Sequence, residues 1–292
     1  MAIGKDDVQI LKPRTDNREY RRIVLKNSLQ VLLISDPETD KCAAAMDVGV
    51  GSFSDPDGLE GLAPLLGFML DFASEKYPLE DSYSKYVAEH GGSTDAVISS
   101  EYTNLRFDVN TDGFEEALDR FAQCFIKPLM SADATTRGIK AVDSGNWNTL
   151  EVRPKAKGVD TRQELLKFYE ENYSANLMHL VVYSKESLDK IQSLVEDKFQ
   201  EIRNSGRSFP SFPGQPCSLE HLQILVRAVP IKEGNKLKIV WPITPEIRYY
   251  KEGPCRYLDH LIGHGGEGSL LYILRKLGRL FKYFACIRLS NS

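Results

Sequence analysis

The sequence has no Cys-x-x-Cys spacing, no apolar run of membrane-span length and no block of like charge, and each absence removes a class of function. Five cysteines, Cys42, Cys124, Cys217, Cys255 and Cys286, are scattered along the chain. An odd number would leave one unpaired in an oxidising compartment, so reduced thiols are expected. No stretch approaches the roughly 18 apolar residues of a membrane span. The opening "MAIGKDDVQILKPRTDNREYRR" lacks the apolar h-region of a secretory signal. Ser290-Asn291-Ser292 is not an SKL-type peroxisomal address, so a cytoplasmic location is expected. The 41 acidic and 37 basic residues, net charge −4, are interspersed. That pattern has no footprint for nucleic acid or an anionic membrane, and neither is expected as a partner.

What is present is a core. At 292 residues and 42% hydrophobic content the chain can hold one large domain or two ordinary ones. After a polar lead over residues 1–17, "RIVLKNSLQVLLISDP" reads as two strands joined near Lys26-Asn27, and "CAAAMDVGVGSFSDP" as a third. Helical spacing follows the Asp55-Pro56-Asp57-Gly58 turn, with Leu59, Leu62, Leu66, Met69, Leu70 and Ala73 on one side. "LEDSYSKYVAEHGG" predicts a helix stopped by Gly91-Gly92 with His90 at its C-terminal end, then "DAVISS" and "TNLRFDVN" two strands. "DGFEEALDRFAQCFIKPLM" predicts a helix capped by Asp112, and "SADATTRGIKAVDS" one capped by Ser131. "RPKAKGVDTRQELLKFYEENY" predicts a further helix, "LMHLVVYS" a strand holding His179, and "SLDKIQSLVEDKFQEI" an amphipathic helix. This alternation predicts an α+β fold, a mostly antiparallel sheet with helices packed on one face. Residues 203–218, "RNSGRSFPSFPGQPCS", are Pro- and Gly-rich and read as a linker. Strand-like alternation in "LQILVRAVPIKEGNKLKIVWPI" then opens a second unit over 219–292.

Within the first of these helices, "GLEGLAPLLGFMLDFASEKYP" places a Pro and a Gly inside an otherwise apolar stripe. Together with "EHGGSTDAVISSEYTN", "ALDRFAQCFIKPLMSADATTRGIKAVDS" and "YLDHLIGHGGEGSL", this stretch resembles the insulin-degrading branch of the insulinase/pitrilysin zinc peptidases. The similarity runs from about residue 18 to about residue 278, with the motifs in the family's order. The resemblance implies an insulinase-like domain over 18–202, a partial second such domain over 219–292, and an ancestry in chains of four such domains arranged as a clamshell.

In that family the stretch after "GLA" carries H-x-x-E-H, two zinc-binding histidines and a glutamate that acts as general base on the metal-bound water. Residues four apart share a helical face, which is why two imidazoles can grip one ion there. The corresponding positions here are Pro64 and Phe68 for the ligands and Gly67 for the base, and no His, Cys, Asp or Glu stands between Gly61 and Leu70. The family's distal glutamates fall on Gly138 and Gly145, and the similarity jumps at Ser144, where a deletion of a few tens of residues is expected. Catalytic zinc needs three protein ligands and an open position. The resemblance thus implies a zinc metalloendopeptidase by descent, while the residues imply no zinc cofactor and a catalytically inactive remnant. Pro64 is expected to kink its helix, Phe68 to fill the vacated metal pocket as core, and Asp71 to be a poorly compensated acid beside the stripe.

Two other readings stand beside inactivity. "GGSTDAVISSEYTN" resembles the family's substrate-pairing strand, although Asp95 and Val97 depart from it. The chain could therefore hold peptides, or pair with an intact paralogue, without cutting. His260 and His264, four apart in "HLIGH" with Glu267 nearby, suggest a metal pair, plain structural use or, by resemblance, a contact to bound peptide. A peptidase working through some other metal site is the third reading. After Gly278 the family pattern ends, and the expected loss of covering domains would leave apolar surface exposed.

Overall fold

The computed structural model describes residues 10–141, 147–212, 220, 224–227 and 252–278. The chain forms two compact units, Met1–Pro210 and Ser211–Ser292. The fold is α+β.

In the first unit a six-stranded sheet runs in the order β1-β2-β6-β3-β5-β4. Its strands are β1 (Glu19–Val24), β2 (Gln30–Ser35), β3 (Lys41–Val48), β4 (Ser93–Ile98), β5 (Thr103–Asn110) and β6 (Met178–Ser184). Every neighbouring pair is antiparallel except β2 with β6. Strand β6 inserts between β2 and β3, with Leu180 opposite both Val31 and Met46. Alternate residues of one face are buried: Val31 and Leu33, Ala44 and Met46, Leu105 and Phe107, Leu180 and Val182. The intervening positions are only partly covered, so the helices lie on one face, as the period-two alternation requires.

Those helices are α1 (Leu62–Leu70), α2 (Ser82–Glu89), α3 (Phe114–Ile126), α4 (Ala132–Ala141), α5 (Arg153–Ala156), α6 (Thr161–Asn172) and α7 (Leu188–Phe199). Phe121 of α3 is the hub, 1% exposed, with the rings of Phe107 and Phe125 at 5.2 Å and those of Tyr83 and Phe199 at 6.3 and 6.5 Å. Gly91 takes the left-handed conformation after α2, where its N–H and that of Gly92 close on the Ala88 and Val87 carbonyls. Ser131 caps α4 through the Ala134 N–H at 3.1 Å.

Two local expectations fail. Asp112 does not cap α3; it lies in a short 3-10 turn, and Gly113 stands at the cap with no side-chain bond. The single helix expected over Arg153–Tyr173 is two, because Gly158 turns left-handed and the Asp160 carboxylate accepts the Arg162 N–H at 2.9 Å to start α6 afresh. His179 lies on β6 but on its exposed side, stacked at 6.2 Å on Phe209. The strand-like alternation of 222–243 lies outside the described residues apart from 224–227, which carry no regular structure. The tail 279–292 lies outside them too.

Residues 203–209 run along the first unit: the Ala175 N–H donates to the Arg203 carbonyl at 2.8 Å, and Asn176 Nδ2 to that of Arg207 at 2.6 Å. In the second unit, α8 (Pro254–Gly263) and α9 (Leu270–Lys276) present Tyr257, Leu258, Leu261, Ile273 and the following Leu277 to solvent. No helix among the described residues is long and apolar enough to cross a membrane.

Candidate functional site

Helix α1 buries Leu62, Leu65, Leu66, Met69 and Leu70 on the core side and packs on α4, α6 and β4. Its start is fixed from outside the helix. The half-buried Asp55 carboxylate accepts the N–H groups of Gly61 and Ala63, both at 2.7 Å, satisfying two donors that a helix N-terminus leaves free. Burial raises the Asp55 carboxyl, and those N–H groups pull it back down. Sequence reasoning missed this cap because the acid stands six and eight residues before its partners, beyond the usual capping offsets.

That start places Pro64 third in the helix, within the first turn, and α1 runs unbroken from Leu62 to Leu70. The expected kink is absent for a physical reason. The first i to i−4 bond of the helix is Leu65 N–H to the Gly61 carbonyl at 3.0 Å. The Glu60 carbonyl that residue 64 would have served accepts instead from the Thr149 hydroxyl at 2.5 Å.

Phe68 is 38% exposed, not core. At 100° per residue, positions 64 and 68 share a strip rotated away from the inward stripe, so Phe68 lies at the rim, its ring 5.9 Å from that of Phe72. Gly67 is buried, and a Cβ there would lie 2.8 Å from Cδ1 of Ile98 on β4. Gly138, on the buried side of α4, faces the same helix: a Cβ would lie 2.8 Å from Leu65 Cδ1 and 3.2 Å from both Met69 Sδ and Phe68 Cδ1. Phe68 and Gly138 thus share the α1–α4 contact with Leu65 and Met69, while Gly67 lies against Ile98 of β4, and the surroundings of both glycines are hydrocarbon. Gly145 lies outside the described residues.

None of Pro64, Gly67, Phe68 and Gly138 carries a side-chain donor suited to zinc, and the carboxylates of Asp55 and Asp71 lie at the two ends of the helix. Asp55 caps the helix, and Asp71 follows its last turn, where burial and then the charge of Asp81 push its carboxyl up to about 6. Among the described residues no three His, Cys, Asp or Glu side chains are grouped to hold a metal. His260 and His264, in the second unit, stack at 6.1 Å at the end of α8, and His264 Nδ1 accepts the Gly266 N–H at 3.3 Å.

Among the described residues strand β4 lies at the end of the sheet and pairs only with β5, and Val97 on it is 41% exposed. A groove of about 240 Å³ on the sheet includes Ala43, Ala45, Val181 and Tyr183 among its walls. Its carboxylates are already engaged, Asp95 with Arg106, and Asp108 with Lys41 at 2.6 Å and Ser93 at 2.5 Å. No residue of α1 lines it.

Comparison with known proteins gives this geometry a lineage. The profile of Insulinase (Peptidase family M16) matches residues 30–157, and that of the Peptidase M16 inactive domain matches residues 161–288. Insulin-degrading enzyme-like 1, peroxisomal, of Arabidopsis thaliana is 65% identical over 315 residues, covering 95% of this chain and 32% of the relative. The insulin-degrading enzyme of Mus musculus is 43% identical over 309 residues, covering 95% of this chain and 30% of the relative. The crystal structure of pitrilysin superposes with a TM-score of 0.69 at 26% identity, covering 93% of this chain and 32% of that one. The chain therefore spans about a third of the length of these relatives. Both curated matches run longer than the 292 residues of the chain itself, so each relative has residues without a counterpart here. The expected cytoplasmic location is overturned: a relative of 65% identity is a peroxisomal protein, and the absence of an SKL-type ending was not grounds for the cytosol. With two profiles of one family in tandem, relatives of 65% and 43% identity and a superposition on pitrilysin, the chain belongs to the insulinase/pitrilysin family of zinc metallopeptidases, in its insulin-degrading-enzyme-like branch.

Proposed function

We propose that this chain is a degenerate member of its zinc-dependent family, one that cannot hold the metal and does not hydrolyse peptides. The observation that carries the reading is the chemistry of α1 at the family's metal positions. Residues 64, 67 and 68 stand where the family places His, Glu and His, and here they are Pro, Gly and Phe; Phe68 packs with Leu65 and Met69 around Gly138 of α4, and Gly67 is buried against Ile98 of β4. Zinc does not fit this set: a hydrocarbon contact offers no ligand and no base to activate water. The longer alignments of both curated relatives support a deletion, which this reading places at Ser144-Gly145 beside the other distal position. Residues 18–202 then form the insulinase-like domain, 203–218 the connection and 219–292 part of a second.

A second reading rests on β4. Among the described residues no strand lies beside its outer edge, and main-chain pairing depends little on side chains, so an extended peptide could add there without being cut. On this reading the chain is a peptide-holding subunit, alone or with an intact paralogue, and His260 and His264 are contacts rather than ligands. One experiment separates the readings. A mixed library of labelled peptides is incubated with the full chain and added zinc, with cleavage followed by mass spectrometry and binding by anisotropy. No cleavage is expected; saturable binding without cleavage selects the peptide-holding reading. Cleavage that a chelator abolishes would overturn both and bring in a metal site elsewhere.

A further inference from the structure

The hairpin joining β4 to β5 fixes which main-chain groups of β4 face outward. Just beyond the strand, the Ser99 N–H donates to the Tyr102 carbonyl at 2.8 Å, and the pairing runs back from there to Ser93 in unbroken register. Antiparallel bonding alternates along a strand, so Val97, Asp95 and Ser93 also turn their main-chain groups to β5. Those of Thr94 and Ala96 point to the outer edge, where no described strand receives them.

The side chains of Ser93, Asp95 and Val97 are the exposed ones of β4. Asp95 lies opposite Arg106 and Val97 opposite Asn104, both on the less buried, helix-free face of β5. A peptide laid antiparallel against Thr94 and Ala96 places the residues opposite Asp95 and Val97 in non-hydrogen-bonded pairs, where Cα atoms approach to about 4.5 Å and side chains are closest. Asp95 has an oxygen to offer there. Arg106 bonds its Oδ2 alone, both side chains are half-exposed, and β4 itself carries no lysine or arginine. Arg106 stands one strand further from the peptide than Asp95, so a peptide cation at that place lies about twice as far from Arg106 as from the carboxylate. Attraction therefore exceeds repulsion.

We propose that the β4 edge selects extended peptides in which a lysine or arginine stands two residues from an apolar residue, the cation meeting Asp95 and the apolar side chain meeting Val97. This inference rests on the peptide-holding reading and gives it a substrate class. An ionised carboxylate accepts at both oxygens, so Asp95 serves Arg106 and the peptide cation together. A peptide glutamate at the same place meets like charge and is disfavoured. Because Asp95 is open to water, the preference is modest and is screened by salt.

The test is fluorescence anisotropy with the full chain and three labelled peptides with blocked ends, identical except for a central Lys, Gln or Glu placed two residues from a Val. At low salt the Lys peptide is expected to bind about threefold tighter than the Gln peptide, and the Glu peptide about threefold more weakly. That ranking is expected to close at about 0.5 M salt, which tests the inference in the parent chain without any variant. Asp95→Asn is expected to abolish the preference for Lys and, by freeing Arg106, to turn it towards Glu. Equal affinities at low salt, a ranking that salt leaves unchanged, or the same ranking in Asp95→Asn would overturn the inference while leaving the peptide-holding reading in place. No saturable binding of any of the three would overturn both.

Discussion

Replacing Gly138 with glutamate is expected to lower stability by about 4 kcal/mol, read from the urea midpoint by far-UV circular dichroism. Two costs combine. A Cβ at 138 would meet Leu65 Cδ1 at 2.8 Å, and overpacking of that kind costs about 1–3 kcal/mol. The carboxylate would then sit in a contact lined by Leu65, Met69 and Phe68, with no metal or cation to compensate it. Gly138→Ala is the control. Leu65 Cδ1 is the flexible end of its side chain, and alanine gains about 1 kcal/mol of helix propensity, so the alanine variant is expected within about 1 kcal/mol of the parent. The comparison separates loss of donors from loss of space. If both variants keep the parent's stability, the space between α1 and α4 is still open and the site could be rebuilt by substitution alone.

The other large effect is Phe121→Ala, expected to cost about 4 kcal/mol because four rings pack on that side chain at the centre of the core. Phe68→Ala is expected to cost less than about 1 kcal/mol, since Phe68 lies at the rim. Equal losses in urea titrations of the two variants would mean that Phe68 does fill a core position, as its place in the apolar helix first suggests.

The contrast between these phenylalanines shows where sequence is informative. The stripe through Phe114, Leu118, Phe121 and Phe125 repeats at helical spacing, and all four are buried. The alternation in "QVLLIS" and "TNLRFDVN" likewise matches the buried faces of β2 and β5. These features are legible because periodicity is itself the consequence of one-sided burial. The partnership of β6 is not, because its insertion between β2 and β3 depends on contacts across more than a hundred residues of chain. Pro64 was misread for a more local reason. Whether proline breaks a helix depends on where the helix starts, and the carboxylate that sets this start belongs to Asp55, outside the helix. Phe68 was misread because an apolar side chain in an apolar helix looks buried until its rotation against α4 is known.

The candidate site was legible in a different sense. Nothing in periodicity marks positions 64, 67, 68 and 138 as related. Family resemblance alone singled them out, and the structure then set Phe68 against Gly138 and Gly67 against Ile98 of β4. Asp71 needed no resemblance, since an acid following the apolar stripe is conspicuous in the sequence.

The central claim is that this insulinase-family chain has lost the means to hold zinc. The measurement that tests it most directly is zinc per chain, by elemental analysis of protein purified without a metal-binding tag. Less than about a tenth of an equivalent is expected, because residues 64, 67, 68 and 138 offer no ligand. Close to one equivalent would contradict the account and make His260 and His264 the first residues to replace.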